Sequence, residues 1–399
     1  MQSTLLGSLT TLVFLLCSAF QTFAQAWSPQ VSGTSALLSE VTFINDSTGW
    51  VVGNGGTLLH TTDGGNNWQP QDAGTIEWLR AIDMISETEG WIVGHNGTIL
   101  HTSDGGDNWT SLSAGTTEEF RDVFFIDAST GWITGVNAII ENTVDAGIYF
   151  TDQTEISNPE LSSIWFTDAN NGWAAGYDGL IIHTTNGGSS WSTQSDGVFD
   201  WVEGLFFFDA QNGWAACSNG QLLKTTDGGN NWTLMTSGVS TDLYDIHFTD
   251  ALHGIAAGAG GVIISTNDGG NSWTPQNSGT SEYLYSIQIN PSGQGWAIGW
   301  AGTIIHTSSG ATGISTASSN LFSLYPQPTS SNIILNLPPG HELVSCFMED
   351  ISGRIVSEKI FIPQSTTKYE LPLSQFSAGV YFLRWQSGLQ SGAERILVE

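Results

Sequence analysis

Basic residues are scarce in this chain: eight Lys and Arg stand against 38 Asp and Glu, for a formal net charge of −30 over 399 residues. Arg80, Arg121 and Lys224 are the only basic side chains between residues 27 and 319. A surface of that sign repels a phosphate backbone and an anionic bilayer, so nucleic acid is excluded as a partner. Cysteine is equally sparse. Cys17 falls in the leader, and Cys217 and Cys346 fall in different predicted domains, so no disulfide framework follows and the fold must be held by packing. That usage is compatible with an extracellular aerobic setting. Helical periodicity is almost absent, and beyond the leader no stretch approaches the roughly 20 apolar residues needed to span a bilayer, which predicts no transmembrane helix.

What the chain has is glycine (48) and tryptophan (17), with 40% hydrophobic and 11% aromatic residues. That is enough apolar surface to offset the ordering entropy of one large all-β domain and one small one. Residues 1–26 read as a signal peptide, with an apolar run from Leu12 to Leu16 and a small-x-small site at Ala24-Gln25-Ala26. Its first residues carry no Lys or Arg, and Leu16 before Cys17 is too bulky for the usual lipoprotein site.

A Gly-Trp pair recurs every 41 residues, at Trp50, Trp91, Trp132, Trp173 and Trp214, then as Ile255, then at Trp296. A second aromatic series keeps the same step through Trp27, Trp68, Trp109, Phe150, Trp191, Trp232 and Trp273. Each unit reads as four short strands separated by turn signals. In the first these are Leu38 to Phe43, Gly49 to Val52, Thr57 to Thr61 and Trp68 to Gln71. Four strands in about 40 residues is one propeller blade. The last unit stops after His306-Thr307 without its aromatic strand, and the chain supplies an orphan copy at Trp27-Ser28-Pro29-Gln30. The fold class predicted is therefore all-β: a seven-bladed β-propeller over 27–314, its N-terminal strand closing the last blade and leaving no exposed edge.

Thr61-Thr62-Asp63-Gly64-Gly65-Asn66-Asn67-Trp68 recurs with Asp104, Asn186, Asp227 and Asp268 at the acidic position. It resembles the Asp-box (BNR-type) repeat, a tight hairpin in which Asp or Asn accepts turn N–H groups and the glycines take positive φ. We assign these five residues a structural role. The whole unit, Gly-Trp-x-x-Gly-x-x-Gly-x-Ile/Leu-x-x-Thr-x-Asp-Gly-Gly-x-x-Trp, is similar to the repeat of the photosystem II assembly factor family, the Ycf48-like or Hcf136-like propellers. The resemblance implies a non-enzymatic protein that binds a protein partner through a basic patch, to which only Arg80 and Arg121 could contribute here.

A Ser/Thr/Ala/Gly-rich linker, 315–320, ends the period. Beyond it come Leu324-Tyr325-Pro326-Gln327-Pro328-Thr329, Asp350-Ile351-Ser352-Gly353-Arg354, Leu371 to Leu373, and Ala378-Gly379-Val380-Tyr381-Phe382-Leu383. In that order they resemble a type A sorting domain of the type IX secretion system. The resemblance implies a small Ig-like β-sandwich over 321–399, export by that machinery, and an extracellular or outer-membrane surface location in a Bacteroidota-type bacterium. Gln327 stands where the family usually has Asn, and an ordinary adhesive sandwich is the alternative.

No catalytic residue, metal or cofactor is assigned. Sialidases also carry Asp boxes but need three arginines, and this propeller has two. Cys217 occupies a position that is Gly in most repeats, which reads as a small buried thiol. His60, His101, His183 and His306 share one repeat position, so they lie on different blades, too far apart for one metal. Binding residues are sought where the repeats disagree. Variation concentrates around the start of the first strand (Trp78, Arg80, Glu119, Arg121, Trp201, Glu203, Asp242, Tyr244, Tyr283, Tyr285) and in the turn after the second (Asn54, His95, Tyr177, Trp300). An even number of strands separates the two loops, which predicts one face of the ring, with candidate binding residues Trp78, Arg80, Arg121, Tyr177, Trp201, Tyr244, Tyr283 and Trp300. Ordinary loop variation is the competing explanation. The expected function is a non-catalytic, monomeric propeller binding an extracellular glycan or protein. A glycoside hydrolase using Glu119, Glu203 or Asp242, and an assembly factor of the photosystem II type, are the alternatives.

Overall fold

A computed structural model describes residues 27–154, 160–194 and 200–308 and, within 323–398, seven strands with parts of their connections. The predicted leader, the linker and most of the Tyr325-Pro326 and Ser352-Gly353 motifs lie outside the described residues. The chain divides into two compact units at residues 314 and 315.

The first unit is a ring of seven four-stranded antiparallel sheets. Blade 1 runs Leu38–Phe43, Gly49–Gly53, Leu58–Thr61 and Gln69–Pro70, from the channel outward, and the pattern repeats through blade 6. Blade 7 takes Leu284–Ile289, Gly295–Gly299 and Ile304–Thr307 from its own repeat and Ser28–Gln30 from the N-terminus, with Ser28 opposite His306. The closure expected from the orphan aromatic strand is thus present. Trp27 beside it is buried, its Nε1 donating to Gln276 Oε1 at 2.8 Å.

Burial explains the residue types. The second strand of each blade, for example Gly49–Gly53, is buried at every position, since blades cover both of its faces, and so reads as a continuous apolar run rather than an alternation. Its tryptophan does two jobs. Trp91, Trp132, Trp173 and Trp214 stack on Phe125, Phe166, Phe207 and Phe248 of the next blade at centroid distances of 3.6, 3.6, 3.7 and 3.8 Å. Each indole N–H also donates to a backbone carbonyl in the next blade's hairpin, Trp50 to Gly105, Trp173 to Gly228, and Trp296 to Gly64 across the closure. Ile255 breaks the series. It faces blade 7, whose outer strand arrives from the N-terminus, and packs in a core with Trp27, Ile263 and Ile287.

The Asp-box hairpins form as read. Asp63 Oδ1 accepts Asn67 N at 2.8 Å and Thr61 Oγ1 at 2.9 Å, and Gly64 and Gly65 sit at φ +72° and +83°. Asn186 makes the same bonds with Ser190 N and Thr184 Oγ1. A sixth copy, not recognised in the sequence, lies in blade 3, where Asp145 Oδ1 accepts Thr143 Oγ1 and Tyr149 N. Ala146 at φ +64° and Phe150 in the Trp position had hidden it.

The second unit packs a three-stranded sheet (Ser323–Tyr325, Asn332–Asn336, Lys368–Pro372) and a four-stranded sheet (Ile360–Ile362, Val344–Asp350, Gly379–Ser387, Gln390–Val398) around one core that includes Leu335, Met348, Leu371 and Leu383. This is a small β-sandwich. Cys217 and Cys346 are both buried and not disulfide-bonded.

Candidate functional site at the channel mouth

Every innermost strand carries a β-bulge at its first turn of pairing. In blade 3, Phe120 pairs with Gly135 and Asp122 with Thr134, so Arg121 is left between them. The residue before the bulge is a fully buried anchor such as Leu79 or Phe120, which forces the bulged residue toward the channel. The seven bulged residues, Ser39, Arg80, Arg121, Ser162, Glu203, Tyr244 and Tyr285, all line the channel cavity.

A second set of bonds ties the turn after the second strand to the same rim. His95 N donates to Trp78 O, Tyr177 N to Glu160 O, and Trp300 N to Tyr283 O, each at 2.9 Å. The residue before this turn packs close to the same carbonyl: in blade 2 a Cβ on Gly94 would lie 2.1 Å from Trp78 O, whereas blade 5 accommodates Cys217 there with the Ser218 N to Trp201 O bond kept at 2.9 Å. Both variable segments therefore share one face, and all eight candidate residues stand around one opening.

They do not form one uniform surface. On blades 2 to 4 the mouth is closed by its own contacts. Arg80 pairs with Glu119 at 2.8 Å, and Arg121 pairs with Glu119 at 3.0 Å and Glu160 at 2.5 Å. Trp78 stacks on His95 at 5.1 Å, lies 3.6 Å under the Arg80 guanidinium, and donates Nε1 to Ser39 Oγ at 2.7 Å. Burial, then the neighbouring Arg121, lowers the Arg80 pKa, and the carboxylates oppose this. Trp201 likewise donates to Ser162 Oγ.

From blade 4 round to blade 7 the mouth is open and aromatic. Tyr177, Tyr283 and Trp300 are 47%, 48% and 52% exposed. Tyr177 meets Trp201 edge-on at 5.5 Å, and Tyr244 lies 6.3 and 5.1 Å from Tyr283 and Tyr285. Glu203 sits among them, pushed up to about 7 by burial and by the charge of Asp242. Burial, with Asp242 next, raises the Tyr244 phenol. Ser39 and Ser162 belong to this rim as bulge residues and were not singled out in the sequence, while Tyr285 was named as a variable position but not carried into the binding candidates. Their shared 41-residue phase with Arg80 was the available signal.

The repeated histidines are scaffold. His60, His101 and His183 stack on the tryptophan of their own blade at 4.7, 4.8 and 4.6 Å, and Lys224 in that position donates to Gly269 O at 2.7 Å.

The acids divide into two classes with opposite pH consequences. Burial raises Glu40, Asp83 (about 7), Asp122 (about 6), Asp245 and Glu141 (about 7). Such groups bind protons more tightly when folded, so the stability they permit is full below the ordinary value near 4 and declines as pH rises toward about 7. Asp63, Asp104 and Asp227 are lowered, chiefly by the side-chain amide four residues on, so their contribution is present above about 4 and is lost on further acidification. Tm is expected to be higher at pH 5.5 than at pH 8, and to fall again below about pH 4. A Tm that rises steadily from 5.5 to 8 by calorimetry contradicts this assignment.

The family model for photosynthesis system II assembly factor YCF48 matches residues 20–117, 109–196 and 231–319, more than half of the chain. A secretion system C-terminal sorting domain matches 323–399. No curated protein sequence matches significantly. Among solved structures, YCF48 bound to D1 peptide superposes with TM-score 0.61 at 20% identity, covering 70% of this chain and 94% of that one. YCF48 from Cyanidioschyzon merolae gives 0.61 at 21%, covering 71% and 98%. The WD40 propeller domain of Doa1 gives 0.59 at 14%, covering 71% and 97%. At these identities the superpositions show the fold. The family match over three segments, on a ring of this geometry, places the chain in the YCF48 assembly-factor family, as a secreted propeller carrying a C-terminal sorting domain.

Proposed function

We propose that this secreted propeller is a non-catalytic binding protein, at the cell surface or released, that holds an extracellular glycan or protein against the open half of its channel mouth. The carrying observation is the placement of Tyr177, Tyr283 and Trp300. They are large, half-exposed aromatics: Tyr177 and Trp300 stand where other blades have Asn54, Ser218 or Ala259, and Tyr283 where others have Glu119, Glu160 or Asp242, so the scaffold does not need them. Aromatic faces beside carboxylates suit stacking on sugar rings and equally serve as protein hot spots. That one propeller of this fold is named as bound to a D1 peptide supports the second class. The sorting domain speaks against a role confined to the periplasm.

The test is titration of the purified mature chain with a panel of polysaccharides and extended peptides, followed by Trp fluorescence. The Tyr283→Ala/Trp300→Ala double variant is expected to lose at least about tenfold in affinity. Its Tm should move little, since surface changes usually stay within about 0.5 kcal/mol. Unchanged binding by the folded variant removes the site.

A second reading, glycoside hydrolysis, is favoured by Glu203 alone. A carboxyl held up to about 7 next to Asp242 has the protonation a general acid needs. It requires oligosaccharides in the supernatant of the same panel that vanish with Glu203→Gln, and their absence removes it.

A further inference from the structure

The channel holds a cavity of about 290 Å³ whose lining differs in character from blade to blade. Blades 1 and 2 present Glu40 and Asp83, and Asp122 and Asp245 enter from blades 3 and 6. Each acid spends an oxygen on a backbone N–H of the next blade, from Ile82, Phe125, Ile164 and Ile287 at 2.6, 2.6, 2.8 and 2.8 Å. The carboxyl groups are therefore held in place before any ligand arrives. Asp122, Asp245 and Asp83 all repel a charge on Glu40. The other wall is aromatic. Phe124 and Trp165 line it 5.0 Å apart, and the buried Phe206 connects Trp165, at 4.8 Å, to His247, at 5.0 Å. His247 lines the cavity, its Nδ1 is shielded from solvent and has no hydrogen-bond partner, and burial lowers it to about 4, so the ring is neutral.

We infer that this channel is a binding site for a short linear alkylamine bearing more than one ammonium group, held by Glu40 and Asp83 and lying along the Phe124–Trp165 wall. The inference is separate from the rim reading. An ammonium compensates acids that otherwise face one another, and its methylene stem and charge both suit aromatic faces. The basic residues at the mouth do not oppose entry, because Arg80 and Arg121 are already paired with Glu119 and Glu160. The acids are spread along the channel: among the described residues no three His, Cys, Asp or Glu side chains gather closely enough to hold a metal ion. That spacing suits charges distributed along a chain rather than a point ion. Since burial holds Asp83 near 7, an incoming cation should drive its proton into the buffer.

The experiment is calorimetric titration of the mature chain with spermidine at pH 7 and physiological salt, run in two buffers of different ionisation enthalpy. The expected result is one saturable site with net proton release. In Glu40→Gln/Asp83→Asn the amide oxygens can still accept the Ile82 and Phe125 N–H groups, so the ring should stay closed while affinity drops at least tenfold and proton release disappears. If the double variant melts early, Asp83→Asn alone is read the same way. Tyr283→Ala/Trp300→Ala should bind spermidine as the parent does, which separates this site from the rim. No heat up to about 5 mM spermidine, or only weak multiple binding that the folded amide variants leave unchanged, overturns the inference.

Discussion

Trp173→Ala is expected to cost about 3–5 kcal/mol, the range for deleting a fully buried aromatic. The side chain has no exposure, stacks on Phe207 of the next blade at 3.7 Å and on His183 of its own at 4.6 Å, and donates Nε1 to Gly228 O at 3.1 Å. Alanine would leave a cavity between two blades and take one of two donors from the Gly228 carbonyl, which Gln194 Nε2 also reaches at 3.0 Å, and neither blade can close the gap without shifting strands pinned on both faces. Ile255 supplies the internal control. It occupies the same repeat position with no indole N–H to donate, so Ile255→Ala should cost less, nearer 2–4 kcal/mol, as the removal of an aliphatic side chain alone. Denaturant melts of the two variants check the order, and equal losses would refute the role given to the indole hydrogen bond.

Deleting residues 27–30 from the mature chain should have the larger structural effect. It removes the outer strand of blade 7, exposes the edge of Ile304–Thr307, and takes Trp27 out of a core shared with Ile287, Ala297 and Ile305. An unpaired edge on an apolar sheet is a template for association. The expected outcome is loss of the cooperative melt, rapid proteolysis within 284–307, and oligomers on size exclusion. Adding the peptide Trp27 to Gln30 in trans should restore little, because the intact chain supplies that strand at high effective concentration. A truncated chain that melts like the parent would mean that the ring closes through its innermost strands alone.

Much of this architecture was legible because a propeller repeats. The 41-residue step counted the blades, the orphan Trp27 strand announced the closure, and the turn glycines and Asp63-type residues marked the hairpins. Where the period eroded, legibility failed. Blade 3 kept the Asp-box bonds through Asp145 while losing the Gly and Trp that identify them. The candidate rim was half legible. Disagreement among repeats led to Trp78, Arg80, Arg121 and Tyr177, but periodicity could not say that Trp78, Arg80 and Arg121 are bound up in one another's contacts while Tyr177, Tyr283 and Trp300 stand half exposed.

The sequence by itself determined the blade count, the closing strand and the face on which the variable residues gather, because each follows from spacing along one chain and from which side chains tolerate a turn or a buried strand. The tertiary structure alone decided the bulges that aim Arg80, Glu203 and Tyr244 into the channel, the carboxyl bonds from Glu40 and Asp83 to the next blade, and the aromatic wall opposite. Those depend on how one inner strand lies against its neighbour 42 residues on, as in the bonds from Ile82 to Glu40 and from Phe125 to Asp83. That register is set by closing seven twisted sheets into one ring, and no local pattern of residues specifies it.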